Sequence, residues 1–208
     1  MTKARARFTG PSRLSLFAAC LFALGLCLYA SFRFVSFVSA AYGQNTPLSS
    51  ISVPAGELPL GLTIYGRGSD TLSMRLRFFN PTGDVIGTME RSWTGWELTL
   101  DAIVVGTGNG WLVFPFRVYT DAPRSGRGMD LTRYYNQNGF PSLWDASALT
   151  GPQIRALRSI FGIVRTERWI PRFLGSLHHE RLTVRNFEAG AEYYLSVLRD
   201  GSLELLKN

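Results

Sequence analysis

From Leu14 to Phe32 the chain reads LSLFAACLFALGLCLYASF, 19 residues without a charged side chain. As a helix rising 1.5 Å per residue this stretch is about 28 Å long, close to the roughly 30 Å hydrocarbon core of a bilayer. Such a run predicts a membrane-directed helix within residues 14–41. Lys3, Arg5, Arg7 and Arg13 precede it, and basic residues at one flank hold that flank in the cytoplasm. Residues 1–13 are therefore expected to be a basic cytoplasmic N-terminus, with everything after residue 41 sent to the far side.

Three fates of the segment are distinguishable. Arg33, followed by Phe34, Val35, Phe37 and Val38, suits a far interface where the guanidinium reaches water and the rings sit among headgroups. That is the reading of a single transmembrane anchor, and it is the one preferred. Val38-Ser39-Ala40 before Ala41 has the small-residue character of a signal peptidase site, so cleavage near Ala40 is the alternative. Phe17-Ala18-Ala19-Cys20 and Leu24-Gly25-Leu26-Cys27 are only loose versions of a lipidation signal.

Beyond the apolar helix, residues 42–59 are rich in Ser, Pro, Gly and Asn and read as a tether that ends in an edge strand near Ile51–Val53. The hydrophobic period then becomes two. Leu72, Met74, Leu76 and Phe78 alternate with Ser73, Arg75 and Arg77, which predicts a strand over 71–79. Asn80-Pro81-Thr82-Gly83 is a turn, and 84–92 is its return strand. Leu98, Leu100, Ala102 and Val104 alternate with Glu97, Thr99 and Asp101, predicting a strand over 97–105 with a solvated face. The glycines of 106–110 lead into a further strand over 111–120, so they form a hairpin connection and not a phosphate loop.

Residues 121–147 lack periodicity and read as a long loop with aromatic anchors. Thr150 and Pro152 mark a helix start. Ile154, Leu157, Phe161 and Val164 give that helix one apolar face, with Arg155, Arg158 and Arg165 mostly away from it. Strands over 181–187, 192–199 and 202–206 follow, the last two joined by Asp200-Gly201. The expected fold is α+β and β-rich: a single transmembrane helix, then a domain over 60–208 built as an antiparallel sheet, sandwich or partial barrel with one principal amphipathic helix.

Charge changes the picture only through its location. The chain has 22 basic and 15 acidic residues, but five of the basic ones lie at or before Arg33 and no acid precedes Glu57. Residues 42–208 carry 17 bases against 15 acids, and a near-neutral domain is not a nucleic-acid binder. Cys20 and Cys27 both lie in the apolar helix. The domain is therefore cysteine-free, with neither a disulfide framework nor a thiol nucleophile.

Candidate chemistry is sparse. His178 and His179 are adjacent, so on a strand they face opposite ways, and His179-Glu180-Arg181-Leu182-Thr183 lacks the second histidine of a zinc-protease helix. Gly66-Arg67-Gly68-Ser69-Asp70 misses the glycine register of a nucleophile elbow. No catalytic residue, metal or cofactor is nominated. Aromatics are enriched in turns and loop borders, where flat rings can stack on sugars or anchor a partner. Trp93, Trp96, Tyr134, Tyr135 and Trp144 are the possible binding surface. The layout is that expected of a bacterial envelope protein: the membrane is its partner through residues 14–41, and a periplasmic domain binds an envelope protein or a glycan without enzymatic activity. A hydrolase acting on glycan or peptide at the same place is the alternative, and no nucleic acid is expected as a partner.

Overall fold

The computed structural model describes residues 13–42, 45–51, 59–68, 70–108, 110–122, 128–166, 170, 172 and 177–208. Lys3, Arg5 and Arg7, the second half of the proposed edge strand, and Trp169 lie outside them. The chain divides into two compact units between Ala40 and Ala41.

The first unit holds nearly all of helix α1 (Arg13–Tyr42). Residues 17–36 are exposed around its whole circumference. A helix that is apolar on every side belongs in a large core or in a membrane. Phe17–Ser36 is long and apolar enough to cross a bilayer or to act as a signal sequence.

The second unit is β-rich and antiparallel. Its larger sheet contains β1 (Leu60–Arg67), β2 (Thr71–Phe79), β3 (Val85–Thr94), β10 (Glu192–Val197) and β11 (Leu203–Lys207), in the order β11-β10-β1-β2-β3. The smaller contains β4 (Leu98–Gly106), β5 (Trp111–Thr120), β6 (Met129–Asp130) and β9 (Leu177–Val184), in the order β6-β5-β4-β9. β2 follows its sequence period closely, with Leu72, Met74, Leu76 and Phe78 buried and the residues between them half-buried. Helix α3 (Gly151–Val164) starts where Thr150 predicts. The Thr150 backbone N–H donates to Gln153 Oε1 at 2.8 Å, the reciprocal half of a capping box. Leu157, Ile160, Phe161 and Val164 form its buried face.

Three segments depart from the sequence reading. β1 is not among the strands expected from the sequence, where Gly61 and Gly66 interrupt its pattern, yet Leu60, Leu62 and Ile64 are core residues. Gly61 has a packing role: a Cβ there would meet the Phe79 ring at 3.0 Å. Residues 45–49, read as tether, form the short helix α2 (Asn45–Ser49). Its Leu48 is buried with Ile51, and Ser50 Oγ accepts from Gln153 Nε2 at 3.0 Å, tying the segment to the first turn of α3. Within residues 121–147, read as a long loop with aromatic anchors, the described part from Gly128 on folds into β6, two 3₁₀ turns and the hairpin of β7 (Asn136–Gln137) with β8 (Phe140–Pro141). Leu131, Tyr135, Phe140 and Leu143 hold this segment in place because each is buried.

β4 is the centre of the smaller sheet, paired with β5 on one side and β9 on the other. Every residue from Leu98 to Val105 is buried. The expectation of a solvated face through Glu97, Thr99 and Asp101 is therefore corrected: Thr99 and Asp101 are interior, and only Glu97, just before the strand, is partly open.

Candidate functional site

The registers of β4, β5 and β9 stack polar residues in rows on one face of the smaller sheet. Thr99 stands between Tyr119 and Thr183, and Asp101 stands between Arg117 and Arg181. A bulge between Asp101 and Ala102 leaves Phe116 as the extra residue of β5, next to Pro115, which has no N–H to lose from the ladder. The bulge brings the Phe116 ring within 5.5 Å of the His179 ring. His179 in turn places Nε2 3.6 Å from Asp101 Oδ1.

Asp101 is fully saturated. Arg117 donates to Oδ2 from Nε at 3.0 Å and from Nη2 at 2.7 Å, and Arg181 Nε donates to Oδ1 at 2.9 Å. Burial alone would push this carboxyl up, but hydrogen bonds from His179, Arg117 and Arg181 outweigh it and hold it at about 2. A carboxylate so firmly ionised is a structural counterion. General acid–base work at neutral pH needs a group poised near that pH.

Two residue steps along the same face, about 7 Å per step, the rows end at the turn joining β3 to β4. Arg185 Nε pairs with Glu97 Oε1 at 3.0 Å. Asp121 Oδ1 accepts from the backbone N–H of Trp96 at 2.7 Å and of Glu97 at 3.0 Å, and these two bonds hold its carboxyl below the usual range. Thr120 Oγ1 donates to the Thr94 carbonyl at 2.6 Å. The turn is thus fixed from below, and Trp96 projects from it with 49% of its surface exposed.

Arg67, the last residue of β1, packs against this tryptophan. Its guanidinium lies 5.3 Å from the Trp96 ring centroid and 4.9 Å from that of Phe187. Nη2 donates to the carbonyls of Trp96 at 2.6 Å and Arg185 at 3.1 Å. Beside this stack an open cavity of about 340 Å³ is lined by Arg67, Arg185, Asn186, Phe187 and Ala189.

Gly95 makes the geometry possible. Its φ is +132°, and a Cβ would lie 2.7 Å from both Asp121 Oδ1 and Thr120 Cβ. Gly95→Ala is expected to cost about 2–3 kcal/mol in urea denaturation, through backbone strain plus the displacement of Asp121. Its native-state tryptophan emission should shift as Trp96 changes environment.

The five aromatics nominated from the sequence do not form one surface. Trp93 is 8% exposed and Tyr135 1%, so both are core residues. Tyr134 stacks on Phe78 with centroids 5.5 Å apart, and Trp144 packs on Phe114 at 4.6 Å, each half-buried. Of the five, Trp96 alone is exposed. Its companions Arg67, Arg185 and Phe187 were not singled out for binding. Arg67 drew attention only as part of a failed nucleophile motif, and Phe187 only as the end of a strand. The usable local signal was the flanking glycines 66 and 68, which mark the end of β1.

The two histidines do face opposite ways. His178 packs edge-on against Trp111, with Nε2 3.2 Å from Glu180 Oε1, while His179 belongs to the Asp101 cluster. Glu180 also meets Arg172 Nη1 at 3.3 Å. Among the described residues no three His, Cys, Asp or Glu side chains come together to hold a metal ion.

In comparisons with known proteins, no family model, no curated protein and no solved structure matches this chain.

Proposed function

We propose that the protein is a single-pass membrane protein of the cell envelope: α1 spans the bilayer, the basic N-terminus stays in the cytoplasm, and the β-rich unit, a two-sheet sandwich, is a non-enzymatic module on the far side that binds a protein or glycan partner. The observation that carries the binding reading is Trp96, a large ring left open to solvent on a turn that Asp121 and Arg67 rigidify. An exposed aromatic that is already immobile loses little conformational entropy when a ligand covers it. The membrane reading rests on the charge-free run Leu14–Phe32 within α1, on its length, and on the cations that precede that run.

The hydrolase alternative finds less support. The cavity beside Trp96 is lined by arginines, an asparagine, a phenylalanine and an alanine, a set without a nucleophile or a proton-transferring carboxyl. Asp101, the one strongly perturbed carboxylate among the described residues, has both oxygens engaged by arginines.

Alkaline extraction of membranes tests the anchor. The full-length chain is expected to stay in the pellet with its N-terminus intact, and protease added to the far side should digest the β-rich unit. A mature N-terminus at Ala41 in the soluble fraction would replace the anchor with a cleaved signal. Leu21→Arg with Leu24→Arg, each adding about 2.5–3.5 kcal/mol to insertion near the helix centre, is expected to move the chain out of the membrane fraction.

A further inference from the structure

We infer that the Trp96–Arg67–Phe187 stack and its cavity form a subsite for an acidic glycan, one whose sugars carry carboxylate groups. The inference rests on the binding-module reading and names the ligand class of that same site.

Arg67 supplies the first reason. Its bonded acceptors are neutral carbonyl oxygens, and it packs over the rings of Trp96 and Phe187. Among the described residues no carboxylate lies within salt-bridge distance of it. Asp121, the acid whose ionisation it favours, commits Oδ1 to the backbone of Trp96 and Glu97. The guanidinium is consequently a fixed cation without a contacting counterion. Its Nε and Nη1 donors have no acceptor among the described residues, and a guanidinium edge with free donors matches a carboxylate. Fixing the cation against two rings beforehand removes much of the ordering cost of that contact.

The rest of the lining narrows the class. Arg185 lines the same cavity with its side chain 71% exposed, and its pairing with Glu97 is through Nε. The Asn186 amide adds a donor and an acceptor of the kind that hydroxyls use. Arg67 covers one side of Trp96, and nearly half of that residue's surface remains open for the flat C–H face of a sugar ring. A protein anchor would call for a deep, apolar, water-excluding pocket. Here the cavity is shallow, donor-rich and open, and about 340 Å³ sits at the small end of ligand sites. That combination fits one unit of a charged polysaccharide lying across the surface.

The test is calorimetric titration of the full-length chain in detergent micelles with a galacturonic acid tetrasaccharide and with its methyl ester, which keeps the sugar and removes the charge. The acid is expected to bind about tenfold more tightly than the ester, the worth of one charge-assisted bond. Arg185→Gln, at a largely exposed position, should weaken the acid about tenfold and leave the ester unchanged. Trp96→Ala should abolish both, with thermal unfolding monitored to show that the variant is folded. Equal affinity for acid and ester, or an Arg185→Gln variant that binds the acid normally, overturns the acidic assignment and leaves the binding module standing. Failure of both sugars, with Trp96-dependent crosslinking to an envelope protein, overturns the glycan assignment and again spares the module. Failure of both sugars with no Trp96-dependent crosslink removes the inference and the module reading together.

Discussion

Asp101→Asn is expected to lower the stability of the β-rich unit by about 2–3 kcal/mol in urea denaturation, although the substitution changes neither the size nor the shape of the side chain. The wild-type carboxylate has no solvent exposure and is the common counterion of Arg117 and Arg181. An amide removes the shared counterion of both cations on the same sheet face. Removing one partner from a fully buried pair costs about 3–5 kcal/mol. The loss should fall below that range because the Arg181 side chain is 56% exposed and that of Arg117 23%, so both rehydrate partly. Arg181→Gln, which leaves the better-buried Arg117–Asp101 pair intact, should cost only about 1 kcal/mol. The inequality between these two variants checks that the carboxylate, and not either arginine, is the keystone of the cluster.

The same group sets a pH signature. The folded state lowers the Asp101 carboxyl from 3.8 to about 2. A depressed acid stabilises the fold above its unfolded value and loses that contribution as pH falls through its folded value. The Asp101 share, about 2 kcal/mol from the size of the shift, is therefore complete above about pH 4 and gone near pH 2. Asp84, Asp145 and Asp200 are also lowered by hydrogen bonds from their own turns, and Asp121 by those from the backbone of Glu97 and Trp96. They titrate in wild type and variant alike, so the difference between the two stability curves isolates Asp101. The curves should run parallel above pH 4 and converge toward pH 2.

The Asp101 cluster is assembled by contacts that local sequence does not express. β2 was legible because one of its faces is core and the other polar, and a period of two expresses that contrast directly. β4 carries the same alternation, but it lies between two strands and is buried throughout. The polar character of Glu97, Thr99 and Asp101 was visible. What was not visible is that Arg117 and Arg181, 16 and 80 residues away, come into register beside Asp101. Cross-strand pairing is nonlocal, and here it depends on a bulge at Phe116 that no composition rule announces. The helix start at Thr150, in contrast, is set by contacts within four residues and was legible. Trp96 stood out as an aromatic in a turn, yet Trp93 had the same credentials and is buried. The difference is strand direction: Trp93 is still within β3, opposite Leu72 on the core side, whereas Trp96 lies past Gly95, where the chain has reversed.

Tyr135→Ala should cost the β-rich unit more stability than either Asp101→Asn or Gly95→Ala, about 3–5 kcal/mol. In the sequence this tyrosine looked like a ligand-facing residue of a long loop, whereas in the fold it is a junction. Its ring lies 5.6 Å from that of Phe78 on β2 and 5.4 Å from that of Phe161 on α3. Its hydroxyl donates to the Pro115 carbonyl at 2.7 Å, beside the bulge of β5. Its own carbonyl accepts from the Ser142 backbone N–H at 2.8 Å and from Ser142 Oγ at 3.0 Å. Truncation therefore opens a void where the larger sheet, the helix and the folded-in segment meet, and it also strands a buried acceptor. Tyr135→Phe separates the two effects: the ring contacts survive, only the hydrogen bond is lost, and the cost should fall to about 1–2 kcal/mol. If Tyr135 were instead a surface residue awaiting a partner, both variants would unfold at the wild-type urea midpoint, and only binding would change.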